Sequence, residues 1–391
     1  MSHRKAVLTF ALAVGVFTGC VADRSSSNAG LPDATTPRPD GSTADASTPS
    51  PDGGSTPPTV LPARDTARVY WVGHSLTDHR DVRNNFESFY ARMLVELVGF
   101  FAEDNGQTYT QYRHTTPGAP LWWNWLREEE LTRNLLSTAQ DYDTIVITES
   151  IPIWVTYTSF NTSFYARQFA CAALRGNPAT TVYIYETWPH FQAGDPDLDY
   201  PEQELWDFRA QLTEDRRMYD AVTTEIRSPN LRRPDDYSFT YEGTDPAEGC
   251  SIDRDVYIIP GGTALAALWD RLAEPNANET WEGLTMAKVF QNGWVNWPEN
   301  WPVTPQEARS IDGRAITAAL PVDDPSIDID DIHMSYIGSY YIGLVAYATI
   351  YRQNPIGLPT VDRLSPTLAR KLQELAWEVV INDPKTGVRA P

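Results

Sequence analysis

The hydrophobic positions of the chain form short continuous runs that alternate with longer amphipathic stretches. The short runs are rich in β-branched and aromatic residues, which predicts buried strands at 68–72, 144–148, 181–185 and 256–259. The longer stretches predict helices at 86–101, 160–174, 202–226, 264–272, 335–351 and 366–381. Strands that alternate with helices indicate βαβ units. We therefore expect an α/β fold, a three-layer sandwich in which a mostly parallel sheet is flanked by helices.

Two stretches between these elements do not follow the pattern. Residues 227–255 are polar and contain Pro and Gly. Residues 274–305 carry Trp281, Trp294, Trp297 and Trp301 and could form a lid. We expect both stretches to be insertions on one domain.

The first 62 residues differ in character from the rest. Residues 1–20 join a short basic stretch to the apolar run Ala6–Phe17, which is too short to span a bilayer and is typical of a secretory signal. The run ends in Phe17-Thr18-Gly19-Cys20, which resembles the lipobox of bacterial lipoproteins, so Cys20 would carry the lipid. Ordinary cleavage near Ala22 is the alternative. Residues 21–62 are mostly Ser, Thr, Pro, Asp, Gly and Ala and predict a disordered tether, which leaves 63–391 as the folded domain.

Composition and charge narrow the class of protein. Of the 391 residues, 41% are hydrophobic and 12% aromatic, which excludes disorder along the full length. The chain has 31 Lys and Arg against 52 Asp and Glu, a formal charge of −21, and nearly all of the excess lies in 63–391. This charge repels phosphate backbones and anionic surfaces, so we expect no nucleic-acid partner and membrane contact only through the lipid anchor. The expected location is the outer membrane or cell surface.

The predicted folded domain contains two cysteines, Cys171 and Cys250. In an exported protein they could form one disulfide, but the sequence alone does not place their Cα atoms within reach. Two separate buried thiols are an equally open alternative. The chain has no CxxC pair or His-rich cluster, so we expect no metal site.

Three residues could together carry nucleophilic catalysis. Ser75 follows the first predicted strand, at the edge of a parallel sheet where ligands gather, although alone it could be a turn or N-cap residue. Asp330 lies three residues before His333, directly ahead of the helix predicted at 335–351. A nucleophilic serine needs a base, and the base needs a partner on its other ring nitrogen. We therefore expect Ser75, His333 and Asp330 to form a triad.

These segments resemble the sequence blocks of the SGNH hydrolase superfamily, also called GDSL-like esterases and lipases. Gly73-His74-Ser75-Leu76 is similar to the first block, with His74 where the family has Asp, and Asp330 with His333 matches the last block, DxxH. The resemblance implies a flavodoxin-like domain in which Ser75 is the nucleophile, Asp330 the acid and His333 the base, without a cofactor. It also implies that backbone N–H groups of Ser75 and Gly118, the best match to the second block, bind the oxyanion.

The third block of the family, GxND, is replaced in this chain by Thr148-Glu149-Ser150. The family's Asn donates to the oxyanion, which an ionised Glu cannot do. Four possibilities stay open: Glu149 is protonated, Ser150 replaces the Asn, Asn124 replaces it, or two backbone N–H groups are sufficient. Glu149 could instead only brace the loop that carries Ser75.

Aromatic residues near the expected site bear on the substrate. Trp122, Trp123 and Trp125 come just after the second block and Trp188 follows a strand, so their indoles could stack on sugar rings or pack the core. We expect a serine esterase that removes acyl groups, with acetyl favoured, from a carbohydrate or a small ester. One alternative is a lipase or thioesterase on the same triad, which would need an apolar trough beside Ser75. The other is a non-catalytic carbohydrate-binding lipoprotein on a degenerate hydrolase fold.

Overall fold

The computed structural model describes residues 58–78, 94–191, 207–235, 237–290, 293–294, 329–330, 332–360 and 364–390. All of them belong to the compact unit Thr56–Pro391. Several predictions lie outside the described residues: the signal, the lipidation site Cys20, most of the tether, the first half of the helix at 86–101, and Trp297 and Trp301. Within the described residues, no helix combines the length and the apolar character needed to cross a membrane.

Strands and helices alternate along the chain, as the hydrophobic pattern predicts. The strands are β1 (Thr66–Gly73), β2 (Thr108–Thr115), β3 (Thr144–Ile147), β4 (Thr181–Glu186), β5 (Tyr257–Pro260), β6 (Gly293–Trp294) and β7 (Ile329–Asp330). The helices are α1 (Leu94–Asp104), α2 (Leu121–Leu126), α3 (Glu129–Thr138), α4 (Ile153–Ser159), α5 (Thr162–Gly176), α6 (Phe208–Glu225), α7 (Gly261–Leu272), α8 (Ala277–Thr280), α9 (Met286–Val289), α10 (Tyr336–Tyr351) and α11 (Pro366–Asn382). Short 3-10 turns lie at Ala139–Asp141 and Pro384–Thr386.

The first five strands form one parallel sheet in the order β2-β1-β3-β4-β5. This is the flavodoxin-like order of doubly wound folds, which has its switch point between β1 and β3. The predicted three-layer α/β fold with a parallel sheet is therefore confirmed. Because all five strands point the same way, the segments that follow them meet at one carboxyl edge. The short strands β6 and β7 form a separate antiparallel pair.

Different helices cover the two faces of the sheet. Val69 and Trp71 of β1 belong to the core under α1, α7, α10 and α11, whereas Tyr70 and Val72 belong to the core under α2, α3 and α5. This alternation is the two-residue period of a strand, and all four side chains are fully buried. β1 is thus central in both cores, which explains its continuous apolar run.

β2 is a strand that the hydrophobic pattern does not predict. It lies at the edge of the sheet, and of its residues only His114 is buried. A strand with one neighbour and half-exposed faces can carry Thr, Gln and Arg, so it lacks the apolar run that marks central strands. The short helices α2 and α3 that follow it are not predicted either.

The insertion at 227–255 is tied to the domain by a disulfide. Cys171 on α5 and Cys250 are joined, with their Cα atoms 5.9 Å apart, so the structure has the bridge rather than two free thiols. Arg167, one turn earlier on α5, donates to the carbonyl oxygen of Cys250 at 2.6 Å. The end of the insertion is therefore held against α5 by a covalent bond and a charged hydrogen bond.

Candidate active site

Ser75 lies in a tight turn directly after β1, at the carboxyl edge of the sheet. The N–H groups of Thr77 and Asp78 both donate to the carbonyl oxygen of His74, at 2.9 and 3.0 Å, which closes the turn. Ser75 is partly exposed, whereas every other residue of 69–78 is buried. The turn therefore presents Ser75 toward solvent and holds its neighbours in the core.

Gly73 makes this turn possible by bringing β1 close to β3. A Cβ at Gly73 would lie 2.7 Å from Thr77 Oγ1 and 2.8 Å from Thr148 Cβ, too near for packed atoms. The two threonines are themselves linked, since Thr77 Oγ1 donates to Thr148 Oγ1 at 3.1 Å. Ser75 thus sits at the switch point between β1 and β3, where doubly wound folds bind ligands.

His333 reaches Ser75 from the far end of the chain. Its Nε2 lies 2.8 Å from Ser75 Oγ, across a sequence separation of 258 residues. The two atoms are within hydrogen-bond distance, so His333 Nε2 is placed to accept the proton of the Ser75 hydroxyl. The structure therefore brings together two of the three residues expected to form a triad.

The segment around His333 is held from several sides. Ser335 Oγ caps α10 by accepting from the N–H groups of Ile337 and Gly338, at 3.2 and 3.4 Å. Met334 forms an isolated antiparallel bridge with Phe290. The backbone of Asp330 pairs with Gly293 in the β6–β7 ladder, three residues before His333. The Asp330 side chain lies outside what the structure describes, so its role as the triad acid stays a prediction.

His74 is a buried link between two loops. Its Nε2 donates to the carbonyl oxygen of Glu149 at 3.0 Å, and its Nδ1 accepts from the N–H of Leu76 at 3.5 Å. Burial lowers the pKa of His74 to about 4, so the ring is neutral at pH 7. The histidine therefore fixes the nucleophile turn to the loop after β3 without adding charge.

Glu149 is buried, and both of its carboxyl oxygens accept hydrogen bonds. Oε1 accepts from the N–H groups of Leu121 and Ser150, at 3.0 and 2.8 Å, and Oε2 accepts from Thr162 Oγ1 at 2.7 Å. Burial raises the pKa of Glu149 to about 7, while these donors act in the opposite direction and favour the carboxylate. Glu149 thus accepts hydrogen bonds from the first residues of α2 and α5. The geometry therefore favours the alternative in which Glu149 holds the loop beside Ser75 over the one in which it donates to the oxyanion.

Asn124 and Ser150, the other candidates for the missing donor, are also engaged in holding the loops. Asn124 is fully buried, and its Nδ2 donates to the carbonyl oxygen of Gly73 at 3.0 Å. Ser150 is buried, and its N–H donates to the Glu149 carboxylate at 2.8 Å. Among the described residues, Asn124 Oδ1 has no hydrogen-bond partner, but it is an acceptor and cannot serve an oxyanion.

Gly118 lies in the turn between β2 and α2. It has a φ of +67°, a left-handed conformation that favours glycine, and a Cβ there would meet nothing within 4 Å. The last residue of β2, Thr115, pairs with Gly73 in β1, so the Gly118 turn leaves the same edge of the sheet as Ser75. Its role as an oxyanion donor stays a prediction.

The expected set of tryptophans divides into two groups. Trp125 and Trp188 are buried, 0% and 2% exposed, and their Nε1 atoms donate to Tyr237 Oη at 3.1 Å and to the Ile332 carbonyl at 2.8 Å. Their faces are packed in the core, so for these two residues the structure favours the core alternative over stacking on a sugar. Trp122 and Trp123 are only partly buried and remain candidates for ligand contact.

Sequence reasoning missed the supporting role of Trp188. The residue follows β4, far along the chain from His333, yet its indole binds the carbonyl of the residue directly before His333. No periodicity signals such a bond, because it depends on which strand ends beside the loop.

Among the described residues, no three His, Cys, Asp or Glu side chains lie close enough to hold a metal ion.

Comparison with known proteins gives only distant likenesses. No family model matches the chain, and no curated protein matches it. A DUF4886 family protein from Bacteroides uniformis is similar at 13% identity and a TM-score of 0.44, over 81% of this chain and 96% of that one. A candidate SGNH hydrolase from Slackia heliotrinireducens (12%, TM-score 0.38, 72% and 97% covered) and a candidate GDSL-like lipase from Parabacteroides merdae (15%, 0.33, 58% and 89%) are also similar. Likenesses at this level do not define a family, so membership of the SGNH superfamily stays a prediction from the residues.

Proposed function

We propose that the protein is a serine hydrolase that cleaves carboxylic esters through an acyl-enzyme intermediate. The observation that carries this is the 2.8 Å contact between His333 Nε2 and Ser75 Oγ, on a partly exposed turn at the switch point of the sheet. A nucleophile and a base within hydrogen-bond reach are the minimum arrangement for this chemistry. Asp330 would orient the imidazole, and the N–H groups of Ser75 and Gly118 would bind the oxyanion.

The reaction follows from these positions. As Ser75 Oγ bonds to the acyl carbon, His333 Nε2 takes the hydroxyl proton and the carbonyl electrons move onto oxygen. The tetrahedral intermediate then collapses, the bond to the alcohol breaks, and His333 returns the proton to the leaving oxygen. Water repeats the attack on the acyl-enzyme, which releases the carboxylic acid and restores Ser75.

For the substrate, we propose an acyl ester of a carbohydrate, with acetyl as the favoured acyl group. The half-buried indoles of Trp122 and Trp123 offer aromatic surface on α2, and the charge of −21 disfavours polyanionic polymers and phospholipid surfaces. We also propose that the chain is exported as a lipoprotein anchored through Cys20. This localisation rests on the sequence of the first 62 residues alone.

A second candidate is a carbohydrate-binding protein on a hydrolase fold that has lost activity. The Glu149 carboxyl accepts from three donors at the place where the family has its Asn donor, and this is the observation that favours the alternative. Under this alternative the Ser75–His333 contact would be a remnant without turnover.

Labelling with a fluorophosphonate probe tests the proposal directly. We expect covalent labelling of the full chain at Ser75, loss of labelling in Ser75→Ala, and strong reduction in His333→Ala. Ser137→Ala, an exposed serine on α3, is the matched control and should label like the wild type. Turnover of p-nitrophenyl acetate against medium-chain p-nitrophenyl esters then ranks the acyl groups. Absence of both labelling and turnover would leave the binding protein as the better explanation.

A further inference from the structure

A cavity outside the Ser75–His333 pair opens beside α2, α3 and α5. Its volume is about 560 Å³, within the range of roughly 300–1,000 Å³ that small-ligand sites occupy. Its lining includes Trp122, Arg127, Arg133, Phe160, Asn161 and Phe239, and we call it the α2–α5 cavity. None of these residues has a part in the proposed chemistry at Ser75.

The position of the α2–α5 cavity places it at the same edge of the sheet as Ser75. α3 and α5 each lead into the next parallel strand, so they begin at the carboxyl edge, and Glu129 and Asn161 at or just before their first turns line the cavity. The carboxyl edge is where doubly wound folds bind their ligands. The cavity therefore opens on the functional side of the sheet.

One residue, Glu149, connects the cavity to the nucleophile turn. Its carboxylate accepts from Leu121, the neighbour of Trp122, and from Thr162, the neighbour of Asn161. Its carbonyl oxygen accepts from His74, the neighbour of Ser75. Both walls of the cavity and the nucleophile are thus fixed to the same buried side chain and its backbone.

The lining of the cavity has the chemistry of a saccharide site. Trp122 and Phe160 pack edge to face with ring centroids 6.3 Å apart, and the Arg133 guanidinium lies 5.6 Å over the ring of Phe239. Aromatic rings pack against the apolar C–H faces of sugars, while guanidinium and amide groups bind their hydroxyls. Arg133 pairs with Glu129 inside this lining, and Arg127 and Asn161 are exposed, so the lining is polar and suits sugar hydroxyls better than a fatty acyl chain.

We propose that the α2–α5 cavity binds saccharide units of the polymer whose ester is cleaved at Ser75. This assignment rests on the proposed function for the polymer, but the binding itself requires no turnover. The occupant is a chain of sugar rings, and the ester bond lies outside the cavity. The insertion at 227–255 supplies one wall through Phe239 and its exposed neighbours Ser238 and Thr240.

Filling the cavity from this wall tests the proposal. Ser238→Trp adds an indole at the rim without touching a residue of the Ser75 site, and Ser251→Trp adds the same group at an exposed position of the insertion that does not line the cavity. Both substitutions are made in the full chain and combined with Ser75→Ala for calorimetric titration with xylohexaose, cellohexaose and mannohexaose. We expect at least one oligosaccharide to bind, with a Kd at least tenfold weaker in Ser238→Trp and unchanged in Ser251→Trp.

Kinetics separate this proposal from the hydrolase proposal. With Ser75 intact, Ser238→Trp should raise KM for the acetylated form of the bound polysaccharide about tenfold and leave p-nitrophenyl acetate turnover unchanged. Binding without any esterase activity would support the cavity and remove the hydrolase. Activity on p-nitrophenyl acetate, with no oligosaccharide bound and KM for acetylated polysaccharides unaffected by Ser238→Trp, would overturn the cavity assignment alone.

Discussion

The indole Nε1 of Trp188 donates a hydrogen bond to the carbonyl oxygen of Ile332, at 2.8 Å, and Ile332 directly precedes His333. Trp188 is 2% exposed and packs edge to face on Tyr185 of β4, with ring centroids 6.2 Å apart. A core residue at the end of one strand therefore fixes the backbone beside the proposed base. The position of the imidazole depends on this bond as well as on the cap of α10.

Trp188→Phe removes this donor while keeping an aromatic ring in the core. We expect kcat for p-nitrophenyl acetate to fall about tenfold with KM little changed, because a displaced His333 weakens proton transfer rather than binding. Fluorophosphonate labelling should slow by a similar factor. The control is Trp125→Phe, which removes another buried indole donor, the one to Tyr237, and should cost stability but not kcat. Equal kcat in the two variants would show that Trp188 is only a core residue.

Glu149 allows a test that separates bracing from catalysis. Glu149→Gln keeps an acceptor for Leu121 and Ser150, and its amide can donate to Thr162, whose hydroxyl can accept as well as donate. We therefore expect near wild-type stability and kcat within about threefold. Glu149→Leu leaves three buried donors without an acceptor and should lower the free energy of unfolding by roughly 3 kcal/mol. A stable Glu149→Leu with a selective loss of kcat would instead indicate a direct part in the reaction.

Strands buried on both faces could be predicted from the sequence, whether they are central, as β1, β3 and β4 are, or at an edge, as β5 is. β1, β3, β4 and β5 carry continuous apolar runs, whereas the edge strand β2 is half exposed and its Thr, Gln and Arg residues conceal it. The topology of the sheet could likewise be predicted only in part. Alternating elements predict a parallel sheet, but the order of the strands depends on long-range packing that no local pattern records.

The contact between Ser75 and His333 could be expected from the place of Ser75 after the first strand, the Asp330–His333 spacing and the resemblance to the SGNH blocks, while their catalytic role stays a prediction. The tryptophans could not be assigned in this way, since an indole suits a core and a sugar site equally well. Trp188 is buried because β4 ends beside the His333 loop. The bracing role of Glu149 depends likewise on Leu121 and Thr162, two helix starts whose proximity only the fold creates.

His114 predicts a specific dependence of stability on pH. It is fully buried between Tyr70 and the Asn124 carbonyl, and burial lowers its pKa to about 4. Between pH 6.5 and 4 the unfolded chain therefore binds a proton at His114 that the folded chain does not bind. The contribution of His114 to stability is consequently present above pH 6.5 and declines as the pH falls toward 4. The full effect is on the order of 3 kcal/mol.

The measurement compares wild type with His114→Gln by urea unfolding from pH 7.5 to 4.5. Burial raises the pKa of Glu149 and of Glu186 to about 7, and these groups act with the opposite sign, since their contribution is lost as the pH rises toward 7. The wild-type curve alone therefore mixes both effects. The difference between the two proteins isolates His114, and it should shift in favour of the variant as the pH falls. A difference that does not change with pH would contradict the assignment.

The Cys171–Cys250 disulfide joins the insertion at 227–255 to α5 across a separation of 79 residues. Closing a loop of this length in the unfolded chain stabilises the fold by about 4.5 kcal/mol in the chain-entropy model. We expect a Cys171→Ser, Cys250→Ser double variant to unfold at lower urea concentration, and reduction of the wild type to reproduce the shift. Because the bond holds the wall that carries Phe239 and not the Ser75 turn, p-nitrophenyl acetate turnover at 25 °C should be retained while oligosaccharide affinity falls. A loss of both together would mean that the insertion supports the nucleophile as well as the α2–α5 cavity.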